Sequence, residues 1–300
     1  MKTNMVAEKR NSHYLKRLYQ KPQTVIEHNI MVPSMKVEVL LSCMNQENTD
    51  IIKKIRITTD VLMINQANHE RKKDIHSSSQ RIRVIDTRQR GLSRSRNMAL
   101  KHAQGDICLL CDEDEFLTDG YADIIKRAFE KHPDAAVIAF QMENKQTRLR
   151  PVVQRVGYLR SLKLASYQLA FRLEPIRQTG IQFDILMGAG SGNGCGEENK
   201  FLWDCLRRRK KIYYVPECIG RVEHGPSTWF FGYNNLFFYQ RGAATRYMMG
   251  AFPAILYGFY YLAAKIPLYR SDISPILAAR ALFRGIHENP IRRQYKEQQT

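Results

Sequence analysis

The sequence predicts an α/β fold in which a mostly parallel central sheet is flanked by helices and followed by a helical C-terminal tail. Apolar runs typical of buried strands alternate with helical patterns, and no hairpin turn signal separates consecutive strands. One run, residues 107–111, stops abruptly at four consecutive acids, residues 112–115. An uncharged run closely followed by a helical pattern is typical of a buried strand in a parallel sheet. With 300 residues and 44% hydrophobic content, the chain can bury one large core with an appended lobe.

The elements follow one another in an order that suits this fold. Residues 1–35 are polar and basic and predict a loosely attached helical extension. The helix after the first strand has Ile51, Ile52 and Ile55 on one face, and another helix covers residues 121–129. The predicted strands are residues 37–43, 61–64, 82–85, 107–111, 136–140, 167–171, 212–215 and 218–222.

The acids at residues 112–115 lie where a parallel α/β sheet binds its ligands. In open sheets of this kind, ligands occupy the crevice beyond the carboxyl ends of the strands. Four adjacent carboxylates repel one another, and a divalent cation would offset that repulsion. Oxygen ligands suit Mg²⁺ or Mn²⁺, which proteins often hold through one or two carboxylates plus substrate phosphates. The alternative interpretation is a solvated acidic turn.

A basic segment precedes these acids. Arg90, Arg94 and Arg96 surround the start of a predicted helix that follows Gly91. Free amide groups at a helix start, together with guanidinium groups, form an anion site that suits a diphosphate. A solvated basic helix start is the alternative. Three arginines within seven residues, directly before the acidic strand end, favour the anion site.

Charge and cysteine content limit the partners and the compartment. The chain has 47 basic and 29 acidic residues, a net charge of +18, which favours nucleic acid, phosphorylated ligands or anionic membrane as partners. The first residues form no apolar segment of the kind that a secretory signal needs. Four of the six cysteines lie inside apolar patterns, which favours buried free thiols and a reducing compartment, the cytosol.

Three segments in this order resemble bacterial family 2 glycosyltransferases of the GT-A fold. They are Arg-Gly-Leu-Ser-Arg-Ser-Arg-Asn-Met-Ala-Leu at 90–100, Ala-Gln-Gly-Asp-Ile at 103–107 and Leu-Leu-Cys-Asp-Glu-Asp-Glu at 109–115. In that family, an Arg-Asn helix start precedes an Asp-x-Asp metal motif. The later Gly-x-Gly-Glu-Glu segment at 194–198 resembles the family's acidic catalytic motif, and the likeness covers residues 36–240.

The resemblance implies an inverting, metal-dependent glycosyltransferase. The donor would be a nucleoside-diphosphate sugar, with a UDP-sugar favoured, and the acceptor a hydroxyl of a glycan or lipid-linked molecule in bacterial surface-polysaccharide biosynthesis. Residues 36–142 would be the nucleotide-sugar half of the GT-A domain and residues 143–240 the acceptor half. The helical, basic and aromatic tail would cover residues 241–300.

Site residues are carried over from the family by position. Glu198 would be the general base, while Glu197 would contact the acceptor or orient the loop. Mn²⁺ or Mg²⁺ would be held by Asp112, Asp114 and His224. The nucleotide-sugar-binding residues would be Ser42, Asn45, Asn65, Arg90, Gly91, Arg94, Asn97, Asp112 and Glu113.

Two departures from the family pattern concern the donor site. The first strand ends in residues 42–45, Ser-Cys-Met-Asn, where the family commonly has Pro-Thr-Tyr-Asn. Asn65 and Gln66 end the second strand, where the family usually has an Asp that helps to read the base. The nucleobase therefore does not follow from the resemblance.

The tail contains an uncharged run, residues 247–264, between Arg246 and Lys265. A spanning helix needs roughly 20 apolar residues, but Pro253 and several tyrosines favour an element that lies in the membrane interface. The chain is therefore expected to be cytoplasmic and peripheral at the inner face of the plasma membrane. A buried helical hairpin is the alternative.

Two other classes of function remain open at this point. A sugar-nucleotide nucleotidyltransferase would share the sheet but should have a glycine-rich, basic loop after the first strand, where this chain has residues 44–47, Met-Asn-Gln-Glu. A non-enzymatic, basic membrane- or nucleic-acid-binding protein would explain the charge but not the acidic strand end. Nucleic acid is not expected as a partner.

Overall fold

The computed structural model describes residues 35–145, 147, 149–193, 196–223 and 232–297. The predicted extension, apart from Met35, and the predicted metal ligand His224 lie outside these residues. The described residues form one compact unit. A single helix, Asn235–Met249, runs through the predicted boundary at residue 240.

The strands of the described residues form one central sheet in the order β3-β4-β2-β1-β5-β9-β7-β10-β6, with β8 beside β10. The strands β4, β2, β1 and β5 are parallel neighbours, as are β7 and β10, which confirms the predicted fold class. Strand β9 runs antiparallel between β5 and β7 and joins the two halves. The strands are β1 Val37–Met44, β2 Asp60–Gln66, β3 Arg71–His76, β4 Arg81–Thr87, β5 Ile107–Asp112, β6 Glu115–Leu117, β7 Ala135–Met142, β8 Gln154–Arg155, β9 Leu169–Arg172 and β10 Lys211–Val222.

Helices cover both faces of the sheet, because the buried strands are apolar on both sides. Helices α1 and α3 pack on one face, through residues such as Ile52 and Phe129. Helices α2 and α6 pack on the other, through residues such as Leu100 and Phe201. The helices are α1 Asp50–Ile55, α2 Leu92–His102, α3 Tyr121–Lys131, α4 Tyr158–Ser161, α5 Leu173–Arg177, α6 Glu197–Arg207, α7 Asn235–Met249, α8 Ala251–Tyr269, α9 Pro275–Glu288 and α10 Pro290–Glu297.

A hairpin that the sequence did not predict lies between the second and third expected strands. Residues 71–76 form β3, which pairs antiparallel with β4 at the sheet edge. Its sequence, Arg-Lys-Lys-Asp-Ile-His, has no apolar alternation, and nearly all of it is exposed. Pairing with β4, through the backbone and through ion pairs such as Arg71 with Asp86, therefore specifies β3, and its charges protect the edge from pairing with other chains.

Strand β10 unites the two short strands predicted at 212–215 and 218–222. Its pairing with β7 changes register between Tyr214 and Cys218, a segment that contains Pro216. Proline has no backbone N–H to donate to a ladder, so a strand passes through it only at an irregularity.

The uncharged run at 247–264 is divided between two helices. Gly250 separates α7 from α8 with a φ of 88°, a left-handed value that favours glycine. Among the described residues, α8 is the helix that is long and apolar enough to cross a membrane. It packs one face against α7 and α9 in an aromatic core that includes Phe238 and Tyr269.

Candidate functional site

The predicted acids lie on a tight turn at the carboxyl edge of the sheet. Strand β5 ends at Asp112, which is in register with Ser42 of β1. The chain then reverses into β6, and the Asp112 N–H donates to Glu115 Oε1 over 2.8 Å. Strand β6 is anchored by antiparallel pairing with β10. The turn therefore holds the acids where sheets of this class bind ligands.

The guanidinium of Arg96 connects this turn to the start of α6. Its Nη2 donates to Asp112 Oδ2 over 2.9 Å, and its Nη1 donates to Glu197 Oε1 over 3.0 Å. The Arg96 side chain is only 1% exposed. Arg96 was assigned to an anion site at the sequence level, whereas the structure places it inside an acidic cluster. The sequence did indicate that Arg96 is buried, since it shares the spacing of a buried helix face with Ala99, Leu100 and Ala103.

The glycine-rich segment before α6 packs on the start of α2. The Leu92 N–H donates to Ala189 O over 3.1 Å, and Ser93 Oγ donates to Met187 O over 2.7 Å. Gly188 has a φ of 95°, and a Cβ there would crowd the Glu197 carboxyl carbon at 3.0 Å. The loop backbone at Gly188 therefore packs against the Glu197 side chain, whose carboxylate accepts the hydrogen bond from Arg96.

Burial and crowding of carboxylates raise several pKa values in this cluster. Burial and the neighbouring Glu197 raise the pKa of Glu198 to about 8. Burial, together with Asp112 and Asp114, holds the pKa of Glu115 well above its usual range. Burial, Glu115 and Glu198 likewise raise the pKa of Tyr167, which lies just before β9. Sequence reasoning included Glu115 among the four acids at this edge but gave it no individual role, and it did not assign Tyr167 to the site.

The cluster fits a divalent cation by its chemistry. Asp112 and Asp114 supply oxygen donors, which Mg²⁺ and Mn²⁺ prefer. Within the part of the chain that the structure describes, Glu115 Oε2 is buried and has no hydrogen-bond partner, so this carboxyl group could accept a further contact. Among the described residues, no group of three or more His, Cys, Asp and Glu side chains is already arranged around a metal position. Further oxygens would have to come from substrate phosphates and water.

The anion site predicted at the start of α2 is not formed by the expected groups. The Gly91 N–H donates to Gln66 Oε1 over 2.7 Å, and the loop already occupies the Leu92 N–H. Arg90 is held by protein oxygens, including Ala67 O at 2.9 Å. Arg94 was also predicted to contact phosphate at this helix start, and its side chain is exposed to solvent.

Asn97 and Asn65 hold protein segments in place. Asn97 exchanges two hydrogen bonds with the backbone of Phe183, at 2.7 and 2.8 Å. Asn65, fully buried, bonds to both the N–H and the C=O of Gln46 and so fixes the segment after β1. In that segment Asn45 has a left-handed φ of 52°. These contacts assign structural roles to both side chains in the ligand-free chain.

Glu113 and Ser42 also bond within the protein at the sheet edge. Glu113 Oε2 accepts from the Met44 N–H over 3.2 Å, which ties the acidic turn to the end of β1. Ser42 Oγ lies 2.9 Å from Ser95 Oγ, beneath α2. Both positions lie at the carboxyl ends of the paired strands β1 and β5, the edge at which open sheets of this class bind ligands.

A carboxylate that sequence reasoning missed lies beside Asn65. Asp86, at the end of β4, accepts from Asn65 Nδ2 over 2.8 Å and from Arg71 Nε over 2.7 Å. Burial raises the pKa of Asp86, but the hydrogen bonds from Asn65, Arg71 and His69 outweigh it and leave the pKa lower than usual. A buried carboxylate on the adjacent strand therefore lies beside Asn65 and is bonded to it, to His69 and to Arg71.

Comparisons with known proteins agree with this architecture. The sequence profile of Glycosyl transferase family 2 matches residues 37–190, about half of the chain. Residues 1–349 of S. aureus TarS in complex with UDP-GlcNAc superpose with a TM-score of 0.53 at 12% identity, covering 79% of this chain and 74% of that chain. The complex of the same protein with UDP gives a TM-score of 0.52 at 14% identity, with the same coverage. At these identities the likeness shows the fold alone. No curated protein sequence matches the chain.

Proposed function

The chain belongs to glycosyl transferase family 2, and from that premise we propose that it moves a sugar from a nucleoside-diphosphate sugar to an acceptor hydroxyl with inversion. The observation that carries the proposal is the position of Arg96. It joins Asp112 at the end of β5 to Glu197 at the start of α6, with Glu198 beside it. A donor-side acid and an acceptor-side acid pair therefore meet at one sheet edge.

The donor is proposed to lie in the crevice beyond β1, β2 and β5. Ser42 and Glu113 border this crevice, and Arg94 faces solvent near it. A UDP-sugar is favoured, and the fold shared with S. aureus TarS, solved with UDP and with UDP-GlcNAc, supports this choice. The replacement of an acidic base reader by Asn65 leaves the base to be tested directly.

Asp112 and Asp114 are the residues proposed to hold Mn²⁺ or Mg²⁺, with His224 as the further ligand taken from the family pattern. A bound divalent ion would supply charge stabilisation to the diphosphate leaving group. Arg96 keeps the Asp112 carboxylate oriented, because its two bonds to that group come from a fully buried side chain. Glu115 holds the turn by accepting the Asp112 N–H.

Glu198 is proposed to remove the proton from the acceptor hydroxyl as the new bond forms at the anomeric carbon. A general base works best when its pKa lies near the working pH, and burial raises the pKa of Glu198 to about 8. Glu197 is committed to Arg96, so of the two roles considered for it, orienting the loop is the one that its contacts favour. The acceptor oxygen then bonds to the anomeric carbon as the bond to the diphosphate breaks on the opposite face, and the hydroxyl proton passes to Glu198.

The acceptor is proposed to be a glycan or lipid-linked molecule of a bacterial surface polysaccharide. The tail supports this by its position beside the loop that precedes Glu197. Tyr247 of α7 donates to Asp184 Oδ2 over 2.7 Å, and Gln240 donates to Gly192 O over 3.0 Å. An acceptor held by the tail would therefore approach the site from the Glu198 side.

The family match removes the two rival classes considered from sequence. The chain is a glycosyltransferase, so neither a nucleotidyltransferase nor a non-enzymatic basic protein describes it. Residues 44–47, at the end of β1 and directly after it, agree with this conclusion, because they carry no glycine-rich basic loop.

The proposal is tested by thermal shift followed by donor hydrolysis. The first screen adds UDP, GDP, CDP or dTDP, each with and without Mn²⁺. The second adds nucleoside-diphosphate sugars that contain the base found to bind. A nucleotide at 100 times its Kd should increase the free energy of unfolding by about 2.7 kcal/mol. Release of free sugar from the stabilising donor would then identify the substrate. If none of the four diphosphates raises the melting temperature and no donor is hydrolysed, the proposed function is wrong.

A further inference from the structure

Helix α8 is apolar on the face that it exposes as well as on the face that it buries. Its inner face packs on α7 and α9 through Ala254, Gly258 and Tyr261. Its opposite face carries uncharged residues every three or four positions, and all of them are exposed. We call this set the outer stripe: Phe252, Ile255, Leu256, Phe259, Tyr260, Ala263, Ala264, Pro267 and Leu268.

The outer stripe is too large and continuous to be ordinary surface. Phe252 is 71% exposed, and Phe259 and Tyr260 are each 61% exposed. A helix that is apolar all round is normally covered by protein or by lipid. Contiguous exposed apolar patches of this kind mark interaction sites. The question is therefore what covers the stripe.

The packing of the inner face excludes a lone spanning helix. A Cβ on Gly258 would meet Leu282 of α9, and Tyr269 at the end of α8 is fully buried, so the helix is fastened along its length. If α8 crossed a bilayer it would carry α9 with it, including the exposed Arg280 and Arg284. Arginines in hydrocarbon are costly. The geometry instead suits a helix that lies along a surface with one side immersed.

Cationic side chains border the stripe. The ring of Phe259 lies 4.8 Å from that of Phe283, which joins the stripe to a face of α9. Helical spacing puts Ile276 and Arg280 on the same face as Phe283. Arg270 follows the stripe directly at the end of α8. Among the described residues, neither Arg270 nor Arg280 has an ion-pair partner, and both are exposed.

This charge distribution complements an anionic surface rather than a second copy of the chain. Residues 241–300 contain nine basic and three acidic residues. A second copy docked on the same face would bring a border of the same sign with it. Anionic lipid headgroups attract basic residues close to the surface, and the acyl boundary accepts Phe, Leu and Tyr.

We propose that α8 lies in the interfacial plane of an anionic bilayer, with the outer stripe immersed and Arg270 and Arg280 on the headgroup phosphates. The proposal does not depend on the donor, the metal or the base. It places the protein at a membrane through a face built by three packed helices, α7, α8 and α9.

Vesicle flotation of the full chain tests this inference. Vesicles of phosphatidylcholine with and without phosphatidylglycerol are compared, at low and high salt. We expect binding to the anionic vesicles that weakens with salt. The double variant Phe252→Glu with Leu256→Glu should lower the partition coefficient at least about tenfold, because it places two charges at immersed positions. Arg270→Glu with Arg280→Glu should lower it about tenfold or more on anionic vesicles only.

Matched controls separate this surface from general charge and hydrophobicity. Val152→Glu changes an apolar residue that is 53% exposed outside the tail, and Arg150→Glu reverses a charge there. Both should leave vesicle binding unchanged, and all variants should keep the wild-type circular dichroism and donor hydrolysis. Equal binding by the wild type and the stripe variant would overturn the proposal. So would a wild-type dimer that the stripe variant converts to monomer without any vesicle binding. Lost flotation with normal donor hydrolysis in the stripe variant would support it.

Discussion

Arg96 donates a 3.0 Å hydrogen bond to Glu197, a residue that lies 101 positions later in the chain. The same guanidinium holds Asp112 through its second nitrogen. Burial lowers the pKa of Arg96, but Asp112 and Glu197 outweigh it and raise the pKa, so the group stays charged. One side chain therefore fixes the spacing between the acidic turn after β5 and the helix that carries the proposed base.

Removing Arg96 should damage stability and activity together. Arg96→Leu leaves two carboxylates without their buried partner, and we expect a loss of about 3–5 kcal/mol in the free energy of unfolding. Arg96→Lys keeps the charge but not the fork, so stability should fall less while kcat drops by roughly 10–100-fold. Urea unfolding and donor hydrolysis measure the two effects. Arg94→Leu, two residues away and exposed, should change stability by less than about 0.5 kcal/mol. Equal losses of stability in Arg94→Leu and Arg96→Leu would contradict this role.

Replacing the proposed base should affect turnover far more than donor binding. Glu198→Gln should lower kcat by about 10²–10⁴-fold, because positioned base catalysis typically contributes that factor. The Kd for the nucleotide, measured by calorimetry, should change little. Glu197→Gln should instead lower stability, since it weakens a bond to a buried arginine. Glu174→Gln is the control, because that glutamate lies on the exposed side of α5. Full activity in Glu198→Gln would show that another group accepts the proton.

The raised pKa of Glu198 predicts how activity and stability depend on pH. Its deprotonated form is the base, so kcat should rise with pH and level off above about 8, the folded-state pKa. In the unfolded chain the pKa returns to 4.5, so between pH 4.5 and about 8 the folded state binds the extra proton. The free energy of unfolding should therefore fall as pH rises through that window. In Glu198→Gln, kcat should no longer rise with pH over this range. The free energy of unfolding should also depend less on pH than it does in the wild type. A pH-rate profile that Glu198→Gln leaves unaltered would refute the assignment.

The proposed cation should be lost with Asp114. Asp114→Asn is expected to abolish Mn²⁺-dependent binding of the nucleoside diphosphate and to leave the melting temperature of the ligand-free chain nearly unchanged. Calorimetry with and without Mn²⁺ gives the comparison. Asp119→Asn lies five residues away and exposed, so it should behave as wild type. Wild-type turnover in excess EDTA would rule out a metal at this position.

Two glycines let helices α7 and α9 approach each other. A Cβ on Gly242 would overlap the carbonyl oxygen of Leu282, and a Cβ on Gly285 would overlap that of Tyr239. Helix propensity alone favours Gly242→Ala by up to about 1 kcal/mol. We expect the clash to reverse that sign and to destabilise the chain by about 1–3 kcal/mol in urea unfolding. Gly157→Ala, where nothing lies within 4 Å of the added carbon, should be nearly neutral. A stabilised Gly242→Ala would show that the two helices can separate at little cost.

Much of the fold followed from the sequence because its signals are local. The apolar runs of β1, β2, β5 and β7 and the periodic faces of α3 and α6 need no knowledge of distant residues. The acid-tipped strand at 107–112 likewise follows from local pattern and from the rule for ligands in open sheets. Strand β3 did not follow, since a charged edge strand has no apolar alternation and is specified by its pairing with β4, a contact between two separate segments of the chain.

The site residues likewise divide into those that local sequence patterns identified and those that depended on distant contacts. The sequence by itself determined that acids end β5 and begin α6, because both are consecutive residues at recognisable element ends. Only the tertiary structure decided that Arg96 bridges these two acidic segments and that Arg90 and Asn97 form hydrogen bonds with backbone groups. Those roles depend on which oxygen lies opposite each side chain after the sheet, the loop and α2 have packed. In the unfolded chain a long polar side chain can form hydrogen bonds with many groups. Once it is buried, it bonds only to the polar groups that the packed structure places within reach.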